Sequence, residues 1–234
     1  MKAIATLPTY NEAENIKLLI EDLLAIPEDF SVVVIDDNSP DGTWRIVREI
    51  AERNPRVHLI HRTHEKGRGS AGIAGFKFAA ETDADMVVEM DADYSHHPRF
   101  LPTMLEASRN VDVVIGSRLV RGGGETGRNP LRKLITLAAN WYIRLILGLP
   151  VRDCTSGFRV FRRTALQEID LDSLHSNGPA IVQEVLLRCH RKGFRVKEVP
   201  ILFEERRAGT STFNTKIMLQ GLFAVLKFRF GKKQ

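Results

Sequence analysis

Cysteine is scarce in this chain of 234 residues. The two that occur, Cys154 and Cys189, stand in no metal-binding spacing, and so few cysteines exclude a disulfide-stapled secreted domain. The N-terminal residues 1–12 lack the pattern of a signal peptide. We therefore expect a reduced, cytoplasmic compartment.

Long apolar runs are also missing. The most apolar stretches, Leu134–Ile143 and Ile217–Leu226, have ten uncharged residues each. A helix that spans a bilayer needs roughly 20 apolar residues. The sequence therefore predicts no transmembrane segment.

No charge of one sign dominates the composition. Lys and Arg number 34 against 29 Asp and Glu, a net charge of +5, which suits nucleic acid, anionic lipid or phosphorylated ligands without choosing among them. Aromatic residues make up 7% and are not interleaved with basic clusters, so stacking platforms for bases are not evident. We expect no nucleic-acid partner.

Strand-like and helix-like segments alternate through the first half of the chain. Apolar runs such as Ser31–Asp37 and Val111–Arg118 are separated by segments with apolar residues at helical spacing. This alternation predicts an α/β fold with a mostly parallel central sheet and helices on both faces. We expect a single domain over residues 1–234, with one half in 1–120 and a differently patterned half in 121–234.

Polar residues gather where the predicted strands end. Ligands of such sheets bind beyond the carboxyl ends of the strands. Here those ends read PTYNE, DDNSPDG, DADYSHH and GSRL. The sequence therefore predicts one polar edge at which the chemistry is done.

Asp91 and Asp93 follow an apolar run that predicts a strand through residues 84–93. Residues i and i+2 of an extended segment point to the same side, so the two carboxylates can converge on one cation. Oxygen ligands suit Mg²⁺ or Mn²⁺, which usually retain waters and substrate phosphates as further ligands. The alternative is a solvated acidic turn. Ser95 is the expected cap of the next helix.

Three further features lie on the predicted edge. Asp36 or Asp37 ends a β-branched strand and suits a base or ribose, although a structural role fits equally well. The glycine-rich stretch Lys66–Gly72 fits neither common phosphate-binding motif, which favours a tight strand-to-helix turn over a phosphate cradle. Arg118 suits a phosphate or a salt bridge to one of the acids.

Seven stretches, in order along nearly the whole chain, together resemble the dolichol-phosphate and polyprenol-phosphate mannose synthases, which are inverting glycosyltransferases of the GT-A fold. They read LPTYNEAENI, VVVIDDNSPDGTW, EKGRGSAGIAGF, MDADYSHHP, VIGSRLVRGGG, DCTSGFRVFRR and EVPILFEERRAGTS. The resemblance implies transfer of mannose from GDP-mannose to a dolichyl or polyprenyl monophosphate with inversion. It places nucleotide-sugar binding in residues 1–120 and acceptor binding in 121–234.

The resemblance also implies roles for particular residues. Asp91 and Asp93 would hold Mg²⁺ or Mn²⁺, and together with Arg118 they would be catalytic. Arg132 or Lys133 is our candidate for the acceptor phosphate. The nucleotide-sugar would be bound by ten residues, namely Pro8, Tyr10, Glu12, Ile35, Asp37, Asp91, Ala92, Asp93, Arg118 and Arg206.

The chain departs from the family pattern at two positions. Thr212 follows Ser211 where many relatives carry a lysine, which puts one phosphate contact in doubt. Ser95 stands where some relatives have a glutamine that ligates the metal. The departure at Thr212 keeps open a non-catalytic nucleotide-sugar-binding subunit. A transferase that uses UDP-glucose or UDP-GlcNAc is the other alternative.

A lipid acceptor requires contact with a membrane. The segment 131–149 is apolar with interspersed cations, as an interfacial helix is, and 217–230 is a second candidate that packing on the core would explain equally well. We therefore expect a peripheral protein on the cytoplasmic face of a membrane. A small membrane-anchoring subunit is a further possible partner.

Overall fold

The computed structural model describes residues 1–27, 29–205, 207 and 215–230, with the backbone alone for 215–217. Strands and helices alternate in the first half: β1 (Lys2–Thr9), α1 (Ile16–Leu24), β2 (Asp29–Asp36), α2 (Thr43–Ala51), β3 (Val57–His61), α3 (Arg68–Glu81), β4 (Met86–Glu89), α4 (Leu101–Ser108) and β5 (Val113–Ser117). The second half contains β6 (Gly124–Glu125), α5 (Pro130–Leu147), β7 (Arg159–Arg162), α6 (Arg163–Glu168), α7 (Ile181–Arg191), β8 (Val196–Pro200), β9 (Leu202–Phe203) and α8 (Thr215–Phe230).

Seven strands form the central sheet in the order β3-β2-β1-β4-β7-β5-β8. All neighbours run parallel except β7, which is antiparallel to both β4 and β5. The predicted α/β fold with a mostly parallel sheet is therefore confirmed. Because β7 and β8 lie in this sheet, both halves of the sequence contribute to it. The short strands β6 and β9 pair separately.

Side chains from both faces of the sheet are buried. Val32 and Val34 of β2 belong to one apolar cluster, with α1 and α4, whereas Val33 belongs to the other, with α3, α5 and α7. Successive strand residues point to opposite faces, so a strand covered on both sides must be apolar throughout. This explains the unbroken valine run of β2 and confirms helices on both faces.

The start of α3 shows why the stretch Lys66–Gly72 is rich in glycine. The helix begins at Arg68, and Gly69 N–H donates to the Asn177 carbonyl at 2.9 Å. A Cβ on Gly69 would lie 1.7 Å from the Ser176 carbonyl oxygen. The helix therefore begins within the stretch that the sequence predicts as a turn, and Gly69 lets a distant backbone segment approach its first turn.

Candidate functional site

Asp91 and Asp93 lie in a turn after β4, because the strand ends at Glu89, earlier than the sequence predicts. Asp93 Oδ1 accepts hydrogen bonds from the Ser95 backbone N–H at 3.0 Å and the Ser95 hydroxyl at 2.6 Å. Tyr94, which follows both aspartates, has φ 64°, a left-handed conformation that is uncommon for a tyrosine. The predicted strand is therefore wrong beyond Glu89, and the convergence of the two carboxylates on one cation stays a prediction.

The expectation that Ser95 caps the following helix is wrong. The short 3-10 helix Pro98–Phe100 is capped by His97, whose ring Nδ1 accepts from the Arg99 backbone N–H at 3.2 Å. Ser95 is buried and is engaged with Asp93 instead. Its side chain therefore fixes one of the two candidate metal ligands.

His96 is a buried neutral group beneath Asp91. The Asp91 backbone N–H donates to His96 Nδ1 at 3.3 Å, so that nitrogen carries no proton. Burial lowers the pKa of His96 and outweighs the opposing pull of the two aspartates. The 3.6 Å approach of Nδ1 to Asp91 Oδ2 is therefore not an ion pair. Stacked on Phe158, His96 supports the turn and is not placed as a general base.

The turn that carries Asp91 and Asp93, here called the acidic turn, has the guanidinium of Arg68 beside it. Arg68 Nη2 is 3.0 Å from Glu89 Oε1 and 3.5 Å from Asp91 Oδ1. Burial would lower the pKa of Arg68, but the two carboxylates outweigh burial and raise it. The guanidinium therefore remains charged between Glu89 and Asp91.

Arg118 lies at the carboxyl end of β5 and is held by Asp153. Its Nε and Nη2 donate to the two Asp153 oxygens at 2.8 and 2.7 Å, and Nη2 also donates to Thr155 Oγ1. Burial disfavours the charged form of both groups, but their hydrogen bonds and mutual attraction favour it more. The pKa of Asp153 is therefore lowered, and the pKa of Arg118 is raised. Arg118 thus forms a salt bridge, but with Asp153 and not with one of the acids that the sequence predicts at this edge. A phosphate contact stays a prediction.

The predicted nucleotide edge lies at the carboxyl ends of β1 and β2. Pro8 and Ile35 are register partners, and Tyr10 is exposed just beyond β1. Asp37 is buried: one oxygen accepts from Arg62 Nε and the other from the Gly67 backbone N–H, both at 2.7 Å. Asp37 is therefore held rigidly at this edge.

Other residues of the predicted set have mainly internal contacts. The Ile35 side chain is fully buried, and a Cβ on Gly75 would lie 2.8 Å from its Cδ1. The Glu12 carboxylate accepts from Asn15 Nδ2 at 2.8 Å. Ala92 is buried in the acidic turn. The Ile35 side chain is therefore closed off from a ligand, and its predicted role stays a prediction.

Arg206, Ser211 and Thr212 lie outside the described residues. Their described neighbours run beside the acidic turn, since Glu204 N–H donates to the Ser95 carbonyl and Arg207 N–H to the Asp93 carbonyl at 3.1 Å. The predicted role of Arg206 stays a prediction.

The acceptor candidates lie at the start of α5. Arg132 is exposed, whereas Lys133 is half-buried and its Nζ donates to the Glu125 carbonyl at 3.0 Å. The helix packs against α8, and the Tyr142 hydroxyl donates to the Leu222 carbonyl. Lys133 is therefore already engaged, and Arg132 is the more accessible cation.

An exposed apolar face runs along these two helices. We define the apolar face as Leu131, Leu134, Leu137, Trp141 and Leu145 of α5 with Leu219, Phe223, Leu226 and Phe230 of α8. Exposed patches of this kind mark an interaction site. Within the described part of the chain, no helix is long and apolar enough to cross a membrane.

The chain belongs to glycosyl transferase family 2, which matches residues 5–170. It is 42% identical over 229 residues to the undecaprenyl-phosphate mannosyltransferase of Micrococcus luteus, covering 97% of this chain and 94% of that protein. It is 39% identical to the polyprenol monophosphomannose synthase of Mycolicibacterium smegmatis, covering 97% and 86%. The dolichol-phosphate mannosyltransferase of Pyrococcus furiosus is 37% identical over 95% of this chain and 62% of its own length. The resemblance found in the motifs is confirmed.

Solved structures confirm the fold. Glucosyl-3-phosphoglycerate synthase from Mycobacterium tuberculosis, crystallised with Mn²⁺, UDP-glucose and phosphoglyceric acid, matches with a TM-score of 0.67 at 20% identity. The match covers all of this chain and 81% of that one. At this identity the likeness establishes the architecture and not the substrate.

Sequence reasoning missed the charged partners of the edge. Arg62, Arg68 and Asp153 pair with Asp37, Asp91 and Arg118 respectively. One signal was available for Arg68, because the apolar run of β4 contains a glutamate, and a buried carboxylate needs a cation. No comparable signal identified Arg62 or Asp153.

Proposed function

We propose that the chain transfers mannose from GDP-mannose to a dolichyl or polyprenyl monophosphate at a membrane surface, with inversion of the anomeric centre. The observation that carries this proposal is the acidic turn with Asp91 and Asp93 at the carboxyl edge of a family 2 fold. Three mannosyltransferases of lipid phosphates, each at least 37% identical, support the choice of substrates.

The residues of the acidic turn fit a divalent cation of the Mg²⁺ or Mn²⁺ type. The described residues contain no cluster of three His, Cys, Asp or Glu side chains that could hold a metal, and Asp91 and Asp93 are the two protein ligands that we propose. A cation held by one or two carboxylates and completed by substrate phosphates is the usual arrangement for Mg²⁺. When bound, it supplies Lewis-acid stabilisation of the leaving diphosphate.

The remaining work falls to the chain's own groups. Asp37, fixed by Arg62, suits the base or ribose of the donor, and Arg118 suits developing charge on the diphosphate. The acceptor phosphate monoester is already anionic at neutral pH and needs no strong general base. This agrees with His96, which is buried, neutral and bonded to backbone. Attack from the face opposite the diphosphate inverts the sugar carbon.

The apolar face supports the membrane part of the proposal. Its residues recur every three or four positions on α5 and α8, and Arg132, Arg144, Lys227 and Arg229 lie on the same helices. An apolar stripe with neighbouring cations is typical of a helix that lies in the headgroup region of anionic lipid. We infer peripheral attachment through this face. The anchoring subunit stays a prediction.

Transfer of radiolabel from GDP-mannose to a short polyprenyl phosphate, with Mg²⁺ or Mn²⁺ present, tests the function. We expect label in the organic phase with the wild type and with Asp83→Ala, a surface control, but not with Asp93→Ala. Transfer only from UDP-glucose or UDP-GlcNAc would keep the site and replace the donor. Tight donor binding without transfer from any donor would support a non-catalytic subunit and contradict the proposal.

Vesicle binding tests the membrane contact separately. Trp141→Glu should reduce co-sedimentation with vesicles that contain anionic lipid, because it places a carboxylate in the apolar face. Leu18→Glu, on an exposed position of α1, makes the same kind of change away from that face and should sediment like the wild type. Equal losses for the two variants would refute attachment through the apolar face.

A further inference from the structure

The guanidinium of Arg68, the first residue of α3, is wedged between two carboxylates of another segment. Nη2 contacts Glu89 Oε1 at 3.0 Å and Asp91 Oδ1 at 3.5 Å. The Arg68 side chain is 22% exposed and that of Glu89 is 1% exposed. The cation is therefore part of the interior of the site, and it touches one of the two proposed metal ligands directly.

Two glycines leave room for this guanidinium. A Cβ on Gly72 would lie 3.1 Å from Arg68 Nη1. A Cβ on Gly157 would lie 3.6 Å from Arg68 Nη2 and 3.8 Å from Asp91 Oδ2. A side chain at position 72 would press on the guanidinium, whereas a Cβ at position 157 would make ordinary van der Waals contact with both partners of the ion pair. The local packing thus accommodates the Arg68 guanidinium against Asp91.

A second cation, the Arg159 guanidinium, lies on the strand next to Glu89. Glu89 is the register partner of Arg159 across β4 and β7, and Arg159 is fully buried. The Arg159 guanidinium donates to the carbonyls of Ser156 and Cys154 at 2.9 and 3.0 Å, and it attracts the Glu89 charge. Arg159 therefore attracts Glu89 only at longer range, and Arg68 Nη2 makes the direct contact with Glu89 while it also reaches Asp91.

We propose that Arg68 is a positioning residue that holds the Asp91 carboxylate and makes tight binding of a divalent cation depend on the donor diphosphate. The inference rests on the proposed function, since it takes Asp91 as a metal ligand. A cation bound without donor must share Asp91 with a fixed guanidinium and is repelled by its charge. A diphosphate adds oxygen ligands and negative charge, and so offsets that repulsion.

Binding of Mn²⁺, followed by the electron paramagnetic resonance signal of the free ion, tests this without turnover. We expect the wild type to bind Mn²⁺ weakly alone and about tenfold more tightly with GDP. Arg68→Met should tighten binding of Mn²⁺ alone about fivefold or more and should shrink the gain from GDP. Arg68→Lys retains the charge and should stay close to the wild type. Asp91→Asn should weaken Mn²⁺ binding in every case.

A purely structural role for Arg68 predicts a different result. The Arg68→Met protein would then melt at a lower temperature but bind Mn²⁺ alone as the wild type does, and that outcome would overturn the proposal. If Arg68→Met does not fold, the double variant Arg68→Met/Glu89→Gln removes both charges of the pair. It should also bind Mn²⁺ alone more tightly than the wild type does.

The arm with Mn²⁺ alone contains neither nucleotide nor acceptor, so it does not depend on the donor assignment. A gain with UDP and none with GDP would support the role of Arg68 and contradict GDP-mannose as donor. An unchanged affinity of Arg68→Met for Mn²⁺ alone would contradict the role of Arg68, whichever sugar is transferred.

Discussion

Replacing Asp153 by asparagine should destabilise the protein strongly, because it breaks a buried ion pair on one side only. Asp153 is fully buried and accepts from the side chain and backbone N–H of Arg118 and from Ser156 N–H. Removing one partner of a buried pair typically costs about 3–5 kcal/mol, because the other charge is left buried without a partner. Glu125 lies 3.4 Å from the Arg118 guanidinium and offsets part of the loss. We therefore expect the lower end, about 3 kcal/mol.

Thermal and urea unfolding measure the loss. For a chain of this size, about 3 kcal/mol corresponds to a fall of roughly 6–12 °C in the midpoint. Asp83→Asn is the matched control: it removes a carboxylate from the fully exposed pair with Lys2 and should leave the midpoint unchanged. A loss below about 1 kcal/mol for Asp153→Asn would show that the ion pair does not hold Arg118.

The pH dependence gives an independent signature of the same pair. The pKa of Asp153 is lower in the folded protein than in the unfolded chain, so its contribution is complete above the unfolded value of about 3.9. It is lost as the pH falls through the lower folded pKa. The stability gap between the wild type and Asp153→Asn should therefore be constant from pH 7 to pH 5 and narrow below about pH 4. A gap that narrows near neutrality would point to a different group.

Three further predictions follow from burial and contact. Gly69→Ala should lower the free energy of unfolding by about 1–3 kcal/mol or more, because its Cβ would clash with the Ser176 carbonyl oxygen. Gly178→Ala is the control, since its Cβ would meet open space, and urea unfolding should show little change for it. Burial raises the pKa of Cys154 and Cys189 to about 12, so neither thiol should react with a disulfide reagent at pH 8 until urea unfolds the chain; prompt labelling of the native protein would refute this. Arg132→Ala should raise the apparent KM for lipid phosphate and leave donor KM unchanged in steady-state assays; an unchanged acceptor KM would exclude Arg132 from that role.

Much of the fold could be predicted from local pattern. The β-branched run of β2 and the alternation of strand and helix depend on neighbouring residues, and the apolar composition reports burial on both faces. The antiparallel β7 could not be foreseen, because nothing in RVFR specifies its direction. Its place between β4 and β5 depends on pairing with strands distant in sequence.

The same limit applies to the site. The acids could be located, because the ends of parallel strands meet at one edge. Their partners could not, because Arg118 and Asp153 are 35 residues apart, Asp37 and Arg62 are 25 apart, and the order of strands decides which of them meet. The end of β4 could not be predicted either, because the apolar pattern continues through Met90 although the strand ends at Glu89.

The pairing of acids with arginines explains how this edge can accept an anionic donor. Asp37, Asp91 and Asp153 each contact an arginine, namely Arg62, Arg68 and Arg118 in that order. Without those guanidinium groups, the acids would repel a nucleotide diphosphate at close range. With them, part of that repulsion is offset, and one added divalent cation makes the edge more attractive to phosphate. On this argument the arginines do not merely stabilise the fold: they reduce the negative charge of the edge, so that cation and donor bind best together.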